Sequence, residues 1–219
     1  FSKSVIVGMC LAAMSMVFTP SAAAQLAARS TEDWLKTLDG ANRVAKLRVN
    51  DVVAALQLKP DAVVADIGAG SGVGDKTVKL NSPAKAVAAG KVYAVDIEQG
   101  LVDHITKKAT EAKLTNVQGV LGKFTDANLP AKDVDVALIF DVLHHIENRT
   151  EYLKNLVPYL KKAGRIVVID FHPELGPHKN DPTLQVTKAQ AAAWFAALGF
   201  KPVAEHPLYT DKWFVVYSR

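Results

Sequence analysis

Cysteine is almost missing from this chain: Cys10 is the single one in 219 residues. One thiol closes no internal disulfide, and no Cys/His spacing typical of structural zinc occurs. Stability must come from a buried core instead. Charge of one sign is also scarce, with a surplus of only +4 from 26 Lys and Arg scattered among 22 Asp and Glu. No basic stripe with interleaved aromatics appears, so nucleic acid is not an expected partner. Repeats and low-complexity tracts are lacking too.

Long apolar runs are limited to one, Val5 to Phe18, preceded by Lys3. It is too short to span a bilayer comfortably. Thr19-Pro20-Ser21 breaks it, and Ala22-Ala23-Ala24 precedes Gln25. A basic start, a short apolar stretch and a small-residue site form a secretory signal pattern. The expectation is a cleaved signal peptide over 1–24, a mature start near Gln25 and a periplasmic location, without stable membrane insertion afterwards. Cys10 follows Met9, a poor residue for lipoprotein processing, and reads as part of the removed apolar stretch.

What is present suffices for one well-buried domain with a short appendage. Ser30-Thr31-Glu32-Asp33 caps a short helix through Trp34 and Leu38, with acids in its first turn. Val44, Leu47, Val52, Val53 and Leu56 fall at helical spacing, so 25–58 reads as a helical cap ended by Lys59-Pro60-Asp61. From 59 to 219 the pattern alternates. Apolar runs at Val63–Ile67, Lys91–Asp96, Asn116–Leu121, Val134–Phe140 and Arg165–Phe171 suit strands covered on both faces. Helical segments separate them, among them Leu101–Ala112 and Thr150–Leu160. Asn81-Ser82-Pro83 reads as an early helix stop. Thr187-Lys188-Ala189-Gln190 is a capping-box pattern. Phe200–Glu205 and Trp213–Tyr217, joined by a short loop, imply an antiparallel pair. The expected fold is α/β: a Rossmann-like, doubly wound, seven-stranded sheet, mostly parallel, with one antiparallel strand near the edge and helices on both faces.

The strongest local signal is Asp66-Ile67-Gly68-Ala69-Gly70-Ser71-Gly72 at the end of the first strand. Ligands of such sheets bind beyond the carboxyl ends of the strands. Glycine there admits a tight turn and close backbone approach. A dinucleotide fingerprint needs a further glycine where Val73 stands. Asp66 repels phosphates and attracts a sulfonium or ammonium group. Asp96, ending the second strand, suits a pair of ribose hydroxyls, or else caps the following helix.

Four segments in this order resemble the class I S-adenosylmethionine-dependent methyltransferases, including exported and small-molecule bacterial members. They are Val64–Gly72, Val92–Asp96, Val134–Ile146 and Leu160–Asp170, and the likeness runs from about Leu56 to Arg219. The resemblance implies S-adenosylmethionine as cofactor and methyl transfer by in-line displacement to a small-molecule acceptor. It implies that Asp66, Gly68 and Gly70 hold the methionine portion and Asp96 the ribose, that Ala69, Gly72 and Ile97 also belong to the cofactor site, and that Asp141 and Val142 face the methionine and the methyl. Many relatives carry an acid after the third strand for the adenine amino group. Here Lys123 follows Gly122, and lysine has no acceptor, so a backbone group, Asp126 or an altered pose takes that part.

His144, His145, His172 and His178 are expected to cluster at the ligand-binding edge. His144 and His145 are the candidate catalytic bases; the structural reading packs one and hydrogen-bonds the other. A metal site from His144, His172, His178 and Asp170 is chemically possible, but no ligand spacing supports one, and no metal is expected. Trp34, Tyr209 and Trp213 are either acceptor-pocket or core residues. Export away from the compartment that makes S-adenosylmethionine motivates one alternative of another class: an exported, non-catalytic binding protein retaining the fold. A nicotinamide oxidoreductase is disfavoured by Val73 and Asp66. The number of subunits is not readable.

Overall fold

The computed structural model describes residues 29–72 and 81–219. The expected signal segment, the start of the cap and Val73 lie outside the described residues. Among the described residues no helix is long and apolar enough to cross a membrane.

Seven strands form one sheet in the order β3-β2-β1-β4-β5-β7-β6. They are β1 Val63–Ile67, β2 Lys91–Asp96, β3 Val117–Leu121, β4 Val134–Phe140, β5 Leu160–Phe171, β6 Lys201–Glu205 and β7 Lys212–Ser218. β1 to β5 pair in parallel, while β7 runs antiparallel to both β5 and β6. The order reverses at β1 and β4, so their carboxyl ends flank the switch-point crevice where ligands bind such sheets. This is the expected Rossmann-like architecture.

The helices are α1 Thr31–Leu38, α2 Ala41–Leu47, α3 Val49–Leu56, α4 Asn81–Ala86, α5 Gln99–Glu111, α6 Arg149–Leu156 and α7 Lys188–Ala197. One face of the sheet packs Val64, Leu138, Val167, Ile169 and Phe214 against Leu47, Val52 and Leu56 of α2 and α3. The other packs Ile139, Val168, Trp213 and Tyr217 against Tyr152, Leu153 and Phe195 of α6 and α7. Fully burying each such side chain contributes about 1.5–3 kcal/mol, so central strands apolar on both faces belong inside. Ser30 accepts from Asp33 N–H at the start of α1. Thr187 and Gln190 complete a reciprocal capping box on α7.

Three helical expectations change. The stretch Val44–Leu56 is not one helix. Arg48 takes a left-handed φ of 47° between α2 and α3, held by Nη1 to Leu208 O at 2.7 Å and Nε to Asp51 at 2.8 Å. Asn81-Ser82-Pro83 does not stop a helix but begins α4. A proline in the first turn lacks only an N–H that has no intrahelical acceptor there. The segment expected as a helix to Leu160 leaves α-helix at Leu156 and passes through a 3₁₀ turn, Val157–Tyr159. Pro158 enters that turn, and β5 already starts at Leu160. Trp213 is core, 2% exposed, with its indole N–H donating to Phe171 O at 3.2 Å.

Candidate active site

β1 delivers its last residues into a turn of left-handed glycines, with φ of 68°, 61° and 67° at Gly68, Gly70 and Gly72. Asp66, in the strand itself, is 4% exposed. Ala69 lies in the turn, fully buried, and its N–H reaches Val95 O on β2 at 2.8 Å. Gly70 N–H donates to Asp96 Oδ2 at 2.8 Å, and Asp96 Oδ1 accepts from Glu98 N–H at 3.1 Å. The glycine turn and the acid ending β2 are thereby one unit. Burial pushes the Asp96 carboxyl above its ordinary value, opposed by those backbone N–H groups. Glu98, not Asp96, caps α5, accepting from Leu101 N–H at 2.6 Å. Each carboxylate oxygen has two acceptor sites, so Asp96 retains capacity toward hydroxyls. Ile97 is half-buried beside it.

β4 ends across the crevice. Asp141 has a φ of 55°, and its Oδ2 accepts from Lys212 Nζ at 2.7 Å, with side chains only 10% and 4% exposed. The Lys212 ammonium lies 5.0, 4.4 and 5.3 Å from the ring centres of Phe140, Phe171 and Tyr209. Burial raises the Asp141 carboxyl above its ordinary value; Lys212 opposes the shift. Asp141 Oδ1 is buried without a hydrogen-bond partner among the described residues. Val142 closes on the glycine turn: a Cβ built on Gly68 would stand 2.3 Å from Val142 Cγ2. The sequence contained no signal for Lys212 beyond its place at the head of an apolar strand.

The cap covers this edge. Leu38 of α1 lies over Gly70, 3.2 Å from a Cβ built there. Ser71 Oγ donates to Asp39 at 2.5 Å, and Thr31 Oγ1 donates to Glu98 at 3.2 Å. Trp34 is half-buried with the Arg29 guanidinium 4.2 Å above its ring. Asp126 Oδ1 accepts from Asn128 N–H at 2.6 Å and Tyr159 O–H at 2.9 Å. That carboxylate braces the turn after β3.

The histidines divide. His144, His145 and His178 come together, with ring centres 4.1 to 5.3 Å apart. His172 is outside this group, its backbone N–H bonded to Asp211 O at 3.0 Å. His144 is buried, and Asp170 binds it twice, at Nδ1 (2.6 Å) and at the backbone N–H (3.0 Å). His145 is pushed down to about 3 by burial, then by His144 and His178. His145 is nonetheless an exposed residue. Burial, then His144, also lowers His178.

These residues suit a cationic, hydroxyl-bearing ligand: a left-handed glycine turn packed by Val142 and Leu38, a buried acid at Asp66, half-buried acids at Asp96 and Asp141, and an acceptor oxygen without a partner among the described residues. Residues 65–168 match the family described as a methyltransferase domain. The match runs from within β1 to within β5, the parallel part of the sheet. Among solved structures, a SAM-dependent methyltransferase from Aquifex aeolicus superposes with a TM-score of 0.75 at 21% identity, over 86% of this chain and 98% of that one. The mitomycin 7-O-methyltransferase MmcR gives 0.70 at 19%, over 91% of this chain and 61% of its own length. The magnesium protoporphyrin IX methyltransferase ChlM from Synechocystis, with SAM bound, gives 0.60 at 22%, over 80% and 79%. At such identities the likeness is one of fold.

Proposed function

We propose that this chain is an enzyme that binds S-adenosylmethionine at the β1/β4 crevice and transfers its methyl group to a small-molecule acceptor. One observation carries the reading. The left-handed glycine turn is bonded to the acid ending β2, at the switch point, and the neighbouring strand β4 ends in Asp141, whose buried Oδ1 has no partner among the described residues. A dinucleotide's diphosphate would meet Asp66, Asp96 and Asp141; a sulfonium and an ammonium meet attraction there.

When bound, the cofactor supplies an electrophilic methyl group. The protein's own work is to hold and to exclude. Gly68 and Gly70 offer side-chain-free backbone to the methionine portion, Asp96 accepts from hydroxyls, and Asp141 Oδ1 accepts from an ammonium. Leu38 and Val142 pack against the turn at Gly70 and Gly68. Orienting donor and acceptor together supplies on the order of several kcal/mol of the barrier. The histidines on the same edge are the groups available to assist loss of the acceptor's proton. A small acceptor fits the names of two fold neighbours, which are methyltransferases of mitomycin and of magnesium protoporphyrin IX. Export to the periplasm belongs to the same proposal, and mass spectrometry of the secreted protein should find a start near Gln25.

Calorimetry on the chain from Gln25 onward tests the reading. S-adenosylmethionine and its demethylated product should bind, and nicotinamide nucleotides should not. Asp96→Ala should weaken binding by about tenfold or more, the loss of hydrogen bonds to a charged acceptor. Binding of nicotinamide nucleotides with neither adenosyl compound bound would end the proposal.

A further inference from the structure

One ring nitrogen from each of His144, His145 and His178 lies within 4.8 Å of those of the other two. They converge from two elements: the 3₁₀ turn Leu143–His145 after β4, and the loop after β5. We propose that these three imidazoles bind one divalent transition-metal ion of the zinc type, with Asp170 as the carboxylate that orients His144.

The chemistry of each group fits. A carboxylate only accepts, so Nδ1 of His144 carries the hydrogen in its 2.6 Å bond to Asp170. Nε2 is then the atom with a free electron pair. Metal-bound histidines characteristically donate their other ring N–H to a carboxylate or carbonyl, which fixes ring and tautomer. Asp170 is itself held in place, also accepting from the backbone N–H groups of His144 and Phe171 at 3.0 and 2.8 Å. The platform is braced as well. Arg149 donates to His144 O at 2.7 Å and to Thr183 O at 2.9 Å, tying the turn to the loop. Gln185 donates to His178 O at 3.1 Å.

Geometry and donor type choose the ion. Tetrahedral zinc with Zn–N of about 2.1 Å places ligand nitrogens about 3.4 Å apart. The present spread of up to 4.8 Å closes with a movement of about 1.5 Å, which the partly exposed His178 side can supply. An all-imidazole set favours zinc and its neighbours over magnesium or calcium, which take oxygen ligands. Three protein ligands leave the fourth position open. An oxygen or sulfur acceptor bound there would lose its proton more readily, as zinc-bound water does. The binding claim is independent of S-adenosylmethionine.

The test uses the chain from Gln25 onward, without an affinity tag, stripped with chelator and titrated with zinc chloride. One equivalent should bind. His178→Ala and His145→Ala should each weaken binding by more than about tenfold, and Asp170→Asn by about 10–100-fold. His172→Ala should leave it unchanged. Cobalt(II) in place of zinc should give the visible absorption of a four-coordinate ion. His144 and Asp170 are buried, so their variants can fail to fold; His145→Ala and His178→Ala, at partly exposed positions, decide. No stoichiometric zinc in the parent chain, or equal affinity in those two variants, overturns the proposal.

Discussion

Gly68→Ala isolates the contact on which the crevice is built. Two costs follow from the structure. Gly68 has φ of 68°, and a residue with a Cβ costs about 1–2 kcal/mol in that left-handed region. The new methyl would also lie 2.3 Å from Val142 Cγ2, 2.9 Å from Cγ1 and 3.1 Å from Cβ. Overpacking of this kind costs about 1–3 kcal/mol. Together the loss is about 2–5 kcal/mol, a large part of a typical domain's 5–15 kcal/mol.

The two costs separate in a cycle with Val142→Ala. That change removes both Cγ atoms but leaves the backbone at Gly68 untouched. The double variant should therefore recover the overpacking part, a coupling of about 1–3 kcal/mol, and keep the conformational part. Urea unfolding with unchanged m values measures all four corners. Strict additivity would mean that β1 and β4 do not meet at Gly68 and Val142. A Gly68→Ala chain within about 0.5 kcal/mol of the parent would refute the left-handed turn as well.

Lys212→Met should destabilise the chain by about 3–5 kcal/mol, because it leaves a buried carboxylate unpaired; Lys212→Met with Asp141→Asn should lose much less in the same urea assay. The affinity for S-adenosylmethionine should fall as pH drops. A raised carboxyl at Asp141 takes up its proton at higher pH than a free Asp, and only the carboxylate attracts a cation. Calorimetry at neutral pH and in steps toward the carboxyl range should show the decline, and Asp141→Asn should flatten it.

What could be read beforehand was local. The glycine turn is written in adjacent residues, as is the capping box at Thr187 and Gln190, since both motifs close within a few positions. The apolar runs placed the central strands because burial on both faces leaves no polar alternation to misread. What escaped was set by partners far along the chain. Arg48 breaks the cap helix through its bond to Leu208 O, 160 residues away. Lys212 heads an apolar strand and reads as a surface residue until the β5–β7 register puts it opposite Phe171 and beside Asp141, 71 residues away. His145 and His178 meet only because the β4 and β5 exits are neighbours. No spacing rule captures that, so the expected cluster of four histidines carried His172, which the structure leaves outside the group of His144, His145 and His178.

Alternation along β4 explains how one short exit serves both neighbourhoods. Ile139 belongs to the core under α6 and α7, and Phe140 to the core under α2 and α3. A continued strand would send Asp141 to the Ile139 side. The left-handed backbone at Asp141 breaks the alternation, and its carboxylate goes instead to Lys212, among Phe140, Phe171 and Tyr209. The chain then turns back through Val142 into the 3₁₀ turn, and His144 reaches Asp170, which alternates with Val168 on the α6 and α7 side. The acid and the imidazole therefore leave the same exit toward opposite faces of the sheet. Val142 lies between them in sequence, against Gly68. A left-handed conformation costs a residue bearing a Cβ about 1–2 kcal/mol, and the buried ion pair fixes it only while Lys212 is present. That makes the Asp141 backbone, rather than any side chain, the feature that sends the carboxylate to Lys212 while His144 goes to Asp170.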